Sequence, residues 1–425
     1  MTIAVFLVTL FGTLSLGVPV AFALMFCGVV LMFYMDIFNT QIVAQQMISG
    51  ANTFTLLAIP FFLLAGELMN AGGLSKRIVD FAISCVGHIR GGLGIVAIFA
   101  AVIMASLSGS AAADSAALAA ILIPMMRDAG YNVPRSAGLM AAGGVIAPVI
   151  PPSIAFIIFG VAANVSITGL FMGGIVPGLM MALSLTAMWM FVARKEDVKT
   201  LPRQSGRVRL RASVAAIWAL IMPIIILGGI RFGVFTPTEA AVIAAAYAMF
   251  VGLVIYRELR VGQLYAVFIS AAKTTSVVLF LVASALVTSW LITRANIPAE
   301  VGDIIQPLID RPQLLMLVIV LLVLVVGTVL DLAPTILILS PVLMPLVREA
   351  GIDPVYFGVV FVMTTCIGLI TPPVGVVLNV VSGVSRVPLG QVIVGVAPFL
   401  IAQVVVLALL VAFPQIVLVP LEFLR

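Results

Sequence analysis

Charge is what this sequence has least of. Only 9% of its 425 residues are charged and 63% are hydrophobic, where soluble chains carry about 25% charged residues. A soluble globular domain is excluded. Apolar runs long enough to cross a bilayer recur along the chain, so it reads as a polytopic integral membrane protein. Histidine occurs once, at His88. No paired-His zinc site, and no Ser-His-Asp triad away from it, can be built. His88 stands near Arg90 in a polar turn and is expected to face water. The three cysteines, Cys27, Cys85 and Cys366, have no paired spacing and read as core packing. No G-x-x-x-x-G-K-[ST] run is present, so the chain carries no nucleotide loop of that kind. No Lys or Arg precedes Lys76. A secretory signal wants a basic start, so the first hydrophobic segment is expected to stay in the mature protein. The net charge of +5 is spread over short loops, which topology explains better than nucleic-acid binding.

What the chain does have, it has twice. The run "PMMRDAG" (Pro124 to Gly130) recurs as "PLVREAG" (Pro345 to Gly351), an offset of about 221 residues. At the same offset "IAPVIPPS" (Ile146 to Ser153) matches "IGLITPPV" (Ile367 to Val374). Gly169, Gly174 and Pro177 likewise pair with Gly390, Gly395 and Pro398. This divides the chain into a first repeat, 1–193, a basic loop, 194–211, and a second repeat, 212–425.

The loop 194–211 holds seven Lys/Arg against two acidic residues. The positive-inside rule puts it in the cytoplasm. Spans are expected at 137–162, 169–193, 212–230, 238–256, 266–292, 355–383 and 388–418. This arrangement leaves 15 Lys/Arg inside and five outside: Arg231, Arg294, Arg311, Arg348 and Arg425. "RDAG" then lies inside and "REAG" outside, so the repeats are inverted. Segment 2–33 reads either as one tilted span or as two short ones broken at Gly17-Val18-Pro19.

Segments 92–126 and 313–347 each enter and leave on one side. Their arms would be about 23–26 Å long, short of a hydrocarbon core of about 30 Å. They read as re-entrant helical hairpins, with two ordinary spans as the alternative. The double prolines Pro151-Pro152 and Pro372-Pro373 must interrupt their spans, because each proline removes an N–H and clashes with the preceding turn. The fold class is therefore all-α and polytopic: an inverted repeat with two hairpins and two discontinuous helices. Segments 74–88 and 295–311 are amphipathic and occupy matching repeat positions, as interfacial arms would.

Broken helices at membrane depth mark secondary transporters. Free carbonyls there can coordinate a cation, and half-helix N-termini attract an anion. In the first repeat the candidates are Ser106, Ser108, Gly109 and Ser110 at the tip. They face Gly143, Gly144, Pro148, Pro151 and Ser153 at the break. In the second, Gly327, Thr328 and Asp331 face Thr364, Thr365, Gly368, Thr371, Pro372, Pro373 and Asn379. Such oxygens suit Na+ rather than a transition metal. Each small or hydroxyl residue could equally serve close packing or bond its own helix. Charged residues within spans are costly. Asp114, Asp331, Glu67, Glu239 and Lys273 qualify, with Asp331 at a tip. Glu67 and Lys273 lie nearer span ends, where snorkelling suffices.

The runs "AIPFFLLAGELMNAGGLSKRIVDF", "MASLSGSAAADSAA", "GGVIAPVIPPSIAFIIFG", "FTPTEAA" and "GLITPPVGVVLNVVSGV" resemble motifs of the large membrane subunit of tripartite ATP-independent periplasmic (TRAP) transporters. The resemblance covers essentially the whole chain. It implies an ion-transporter fold with an elevator-type mechanism in the bacterial inner membrane. It also implies Na+ as coupling ion, a separate small four-helix membrane subunit and a periplasmic substrate-binding protein. Carried over residue by residue, the implied Na+ positions are Ser106, Ser108, Gly144, Pro148 and Pro151, then Gly327, Gly368 and Thr371. The remaining polar candidates for a small organic acid are Ser110, Asp114, Ser153, Asp331, Thr364 and Asn379. The overall likeness leans to the sugar-acid branch, such as diketo-gulonate uptake. A self-sufficient carboxylate/Na+ symporter with two hairpins, needing no partner subunits, is the competing reading.

Overall fold

A computed structural model describes residues 2–194 and 200–424. Five residues of the predicted basic loop, 195–199, lie outside the described residues. Among the described residues every regular element is helical. In the first repeat these are α1 (Thr2–Ser15), α2 (Val20–Tyr34), α3 (Thr40–Ala51), α4 (Ala58–Ala71) and α5 (Leu74–Val86). They continue as α6 (Gly92–Ser108), α7 (Ala111–Asp128), α8 (Val133–Gly144), α9 (Ile154–Ala163) and α10 (Ile167–Ala193). The second repeat runs α11 (Gly206–Arg231), α12 (Pro237–Phe250), α13 (Val261–Arg294), α14 (Ile297–Ile309) and α15 (Pro312–Gly327). It ends with α16 (Leu332–Glu349), α17 (Pro354–Gly368), α18 (Val376–Ser385), α19 (Leu389–Ala412) and α20 (Gln415–Leu424). Seven helices among the described residues are long and apolar enough to cross a membrane.

Both hairpins form. α6 and α7 turn at Gly109, in a left-handed conformation (φ 61°), and Ser110 caps α7. α15 and α16 turn over 328–331, with Asp331 capping α16. Arms of 16 to 18 residues reach only about 24–27 Å as helix. The expected breaks form as well: α8 stops at Gly144 and α9 restarts at Ile154, while α17 stops at Gly368 and α18 restarts at Val376. A cis bond joins the two prolines of each pair.

Of the two readings of the N-terminal segment, the two short helices form, parted at Gly17 (φ 79°) and Pro19. Other boundaries differ from expectation. α11 begins inside the predicted basic loop, because the Ser205 hydroxyl accepts the Val208 N–H and starts the helix early. Its first turns therefore carry Arg207, Arg209 and Arg211. The last predicted span divides at Phe413-Pro414 into α19 and α20. Helix α3, too polar to suggest a span, was not anticipated; Asn39 caps it through the Gln41 N–H. His88 is half-buried, and its Nδ1 is shut away from water without a partner.

The repeats interlock rather than lie side by side. α7 packs on α18 and α9 on α16, while α8 packs on α19 and α10 on α17. Each such pairing joins one repeat to the other. The "RDAG" and "REAG" motifs fasten these crossings. Arg348 at the end of α16 donates to the carbonyls of Ala163 (3.1 Å) and Asn164 (3.5 Å), where α9 ends. Arg127 at the end of α7 donates to the Ser385 carbonyl (3.5 Å), where α18 ends. Helix C-termini leave carbonyls without intrahelical donors, and a cation there also suits the dipole. Trp189 on α10 is fully buried and donates to the Gly91 carbonyl at 2.7 Å, pinning the base of the first hairpin.

Around this core stands a frame of α1–α4 and α11–α13. Thr288 of α13 donates to the Leu24 carbonyl of α2 at 2.9 Å, and α4 packs on α12. The arm α5 joins frame to hairpin and packs on both α11 and α6. Its start is held by an Arg77–Glu258 ion pair of 2.8 Å, with the guanidinium 3.8 Å over the Tyr256 ring. A short π-helical turn, Val251–Ile255, brings Gly252 against Gly72; a Cβ on Gly72 would lie 3.0 Å from the Gly252 Cα. Glu239, flagged above as a costly charge, forms a capping box with Thr236 at the start of α12. Glu67 accepts a hydrogen bond from Ser270 at 3.0 Å.

Candidate functional site

The two hairpin tips end against the two helix breaks. In the first repeat, a Cβ on Gly109 would lie 3.2 Å from the Pro152 carbonyl oxygen and the Ile154 nitrogen. In the second, the backbones of Gly327 and Gly368 touch: a Cβ on Gly368 would lie 2.7 Å from the Gly327 carbonyl carbon. The Gly375 N–H also donates to the Thr328 carbonyl at 3.2 Å. Only glycine allows this approach, because any side chain would drive tip and break apart.

Around the first contact, polar groups are buried with no partner. Ser108 donates to Asp114 Oδ1 at 2.5 Å and accepts the Ser110 N–H at 3.2 Å. Asp114 is 2% exposed and Ser115 0%. Neither Asp114 Oδ2 nor the Ser115 hydroxyl has a hydrogen-bond partner. A buried, unsatisfied carboxylate oxygen is expensive and calls for an explanation. Gly144 closes this pocket from the opposite side, where a Cβ would collide with Ser115 Oγ. Ser106 is buried too, and its hydroxyl donates to the Ile103 carbonyl at 2.7 Å. The Pro148 carbonyl already accepts from Ser153 at 2.5 Å, and Ser153 also caps α9 through the Phe156 N–H. Pro151 lies in the buried break, lining a neighbouring cavity with Ser106.

The second contact is more open. Pro372 and Pro373 are exposed, whereas Pro151 and Pro152 are buried. Thr371 donates to the Ile367 carbonyl at 2.7 Å, which leaves its oxygen lone pairs able to accept. Thr364 and Thr365 each donate to their own helix, at 2.7 and 2.9 Å. Asn379 spends its amide N–H groups on the break, donating to the carbonyls of Val374 (3.0 Å) and Gly375 (3.4 Å).

Between the two tips lies a cavity of about 200 Å³. The N-terminal turns of α7, α9, α16 and α18 all reach it, through Ala111, Ile154, Leu332 and Val376. Four helix starts border one space, and the positive dipole ends of helices favour an anion. Ser110 and Asp331 line it, one from each tip. Asp114, Ser153, Thr364 and Asn379 do not. The frame supplies the remaining wall, Leu63 of α4 with Thr274 and Val278 of α13. Sequence reasoning did not single out Thr274 or Ser115. Ser115 adjoins Asp114 and could have been read from that neighbour; Thr274 is one of many polar residues on α13 and carried no signal.

Comparison with known proteins bears on the family and the fold. Residues 7–416 match the family described as "Tripartite ATP-independent periplasmic transporter, DctM component". The chain is 55% identical, over 100% of both chains, to a putative TRAP transporter large permease protein of Haemophilus influenzae. It is 54% identical, again over 100% of both, to the 2,3-diketo-L-gulonate TRAP transporter large permease protein YiaN of Escherichia coli. It is 40% identical to the sialic acid TRAP transporter large permease protein SiaM of Vibrio cholerae, covering 96% of this chain and 95% of that one. Among solved structures, the Alcanivorax borkumensis YdaH transporter aligns with a TM-score of 0.62 at 17% identity, over 90% of this chain and 89% of that one. That likeness concerns the fold. Paired hairpins, paired breaks and a whole-length family match converge: the chain belongs to the DctM, or large permease, component family of TRAP transporters, multi-pass proteins of the bacterial inner membrane.

Proposed function

We propose that this permease imports a small organic acid by Na+-coupled, elevator-type alternating access. A periplasmic binding protein delivers the acid, and a separate small four-helix membrane subunit completes the complex. The observation that carries the reading is the cavity flanked by two tip-and-break contacts. Its four helix N-termini suit a carboxylate, and the carbonyls and hydroxyls beside it suit a hard cation. The first Na+ position is built around Ser106, Ser108 and Gly144, with the unpartnered Asp114 and Ser115 oxygens beside it as further oxygen donors. The second is built around Gly327, Gly368 and Thr371. Among the described residues no donor meets the buried Asp114 Oδ2, which supports a bound cation there.

The elevator reading rests on the division between frame and core. Arm α5 is bonded to the frame at its start and packs on the hairpin beyond. Gly66 of α4 lies against the tip at Ser108 with room for only ordinary contact. At about 200 Å³ the cavity is below the usual size of a small-molecule site, roughly 300–1,000 Å³, so admitting a six-carbon acid requires the tips to part. The sugar-acid preference draws on the 54% identity to the diketo-gulonate permease.

The test is uptake by the complex in proteoliposomes, with substrate-loaded binding protein outside and an imposed Na+ gradient. Uptake should require Na+ and proceed without ATP. Equal rates with K+ in place of Na+ would refute the coupling.

A further inference from the structure

A cavity larger than the one between the tips lies away from them. It lies at the end of the fold that carries the α9–α10 turn, the start of α12 and the end of α13, and measures about 650 Å³. The positive-inside rule places this end outside the cytoplasm. The volume falls within the roughly 300–1,000 Å³ of small-molecule sites. Both frame and core contribute to it. The frame supplies Gln46 and Thr53 beside α3, and Ser289 and Trp290 from α13; the core supplies Asn164 and Thr168 from the α9–α10 turn.

Its chemistry contrasts with the cavity between the tips. No Asp, Glu, Lys or Arg lines it. The polar groups are hydroxyls and amides, which both donate and accept. Trp290 is half-buried, with an apolar face and one N–H donor. Such a surface has no means of holding a bare carboxylate by charge. It matches a molecule rich in hydroxyl groups, whose C–H face covers an indole while its hydroxyls pair with neutral partners.

We infer that this vestibule is a receiving subsite for the polyhydroxylated part of the substrate. The molecule rests there after leaving the binding protein and before its carboxylate reaches the helix N-termini. The inference rests on the import reading above, yet involves no cation position. Division of labour follows: hydroxyls are read in the vestibule, charge at the tips. Because Asn164 supplies one of the two carbonyls that accept from Arg348, the core side of the vestibule is carried on the crossing between α9 and α16.

Single-cysteine protection tests this in the assembled complex. Cys27, Cys85 and Cys366 are replaced, Thr293→Cys is introduced at the exposed rim, and proteoliposomes are treated with a membrane-impermeant maleimide. Gluconate and sorbitol should each slow labelling about fivefold at saturation, equally in Na+ and in K+; succinate, an acid without hydroxyls, should not. Trp290→Ala should abolish protection, and Trp290→Phe should retain part of it. In uptake assays Trp290→Ala should lower the maximal rate while leaving the half-saturating concentration of loaded binding protein unchanged. Protection by succinate equal to that by sorbitol, or no protection by any probe, overturns the subsite. So does a Trp290→Ala variant whose only defect is a higher half-saturating binding-protein concentration, which would assign the vestibule to protein docking. Loss of Na+-dependent uptake with protection intact would strike the coupling proposal alone.

Discussion

Replacing Gly368 by alanine tests the second tip-and-break contact with a single methyl group. The added Cβ would lie 2.7 Å from the Gly327 carbonyl carbon, 2.8 Å from its Cα and 3.0 Å from its oxygen. All three are backbone atoms, so no side chain can swing aside. Ordinary contact needs about 3.5–4.0 Å between carbons; the tip or the break must retreat by close to an ångström. Overpacking of this kind costs about 1–3 kcal/mol. If that strain is relieved by parting tip and break, it falls on the arrangement proposed to hold the second Na+. Each 1.4 kcal/mol is a tenfold change in an equilibrium constant, so the apparent Na+ affinity should drop roughly 5- to 150-fold. Gly327→Ala should be milder, since its nearest neighbours are 3.3 Å away. Gly383→Ala, which meets nothing within 4 Å, is the control. The assay is initial uptake rate against Na+ concentration at matched protein levels, with thermal unfolding measured alongside. An unchanged Na+ half-saturation in Gly368→Ala, with folding intact, would show that this contact is packing and no cation position.

Two further substitutions address the first repeat and the interlock. Asp114→Asn keeps the volume and the Ser108 hydrogen bond but removes the negative charge, so Na+ cooperativity should fall toward that of a single site; full cooperativity by the same uptake assay would remove Asp114 from the cation position. Arg348→Ala frees the carbonyls at the end of α9, and because the guanidinium is exposed the loss should be about 1 kcal/mol, seen as a lowered unfolding temperature in detergent. Arg127→Ala should lose less, its hydrogen bond to the Ser385 carbonyl being at the 3.5 Å limit.

Much of this architecture was legible because it is written twice. A proline pair in one apolar run is ambiguous; the same pair at the same offset from an Arg-acid-Ala-Gly motif is not. Inversion followed from loop charge, and hairpins from arms too short to span. What could not be read was depth and direction. Hydropathy cannot distinguish the buried Pro151-Pro152 from the exposed Pro372-Pro373, since both interrupt apolar runs. Nor does it reveal that Asn379 and Ser153 bond to break carbonyls, because those bonds depend on where a non-helical backbone turns. The crossing of α7 on α18 and of α9 on α16 was equally invisible; the repeated arginines signalled a shared role, without the partner.

The repeats also diverge where their chemistry must differ, and the offset shows how. Ser110 corresponds to Asp331, and Asp114 to Thr335. Each hairpin thus places one carboxylate and one hydroxyl at the start of its second arm, in exchanged positions. In the first, the hydroxyl caps the helix and lines the cavity, while the carboxylate sits one turn deeper, buried beside Ser108 and Ser115. In the second, the carboxylate caps the helix, accepting the Leu332 N–H at 2.8 Å, and stays exposed at the cavity. There the deeper hydroxyl of Thr335 bonds back to the Asp331 carbonyl. A buried carboxylate with an unpaired oxygen attracts a cation. An exposed one at a helix start is already stabilised by the dipole and can accept hydrogen bonds from substrate hydroxyls. One inherited pattern, with two residues exchanged, thereby buries one carboxylate and exposes the other, as the proposed division into a cation position and a substrate contact requires.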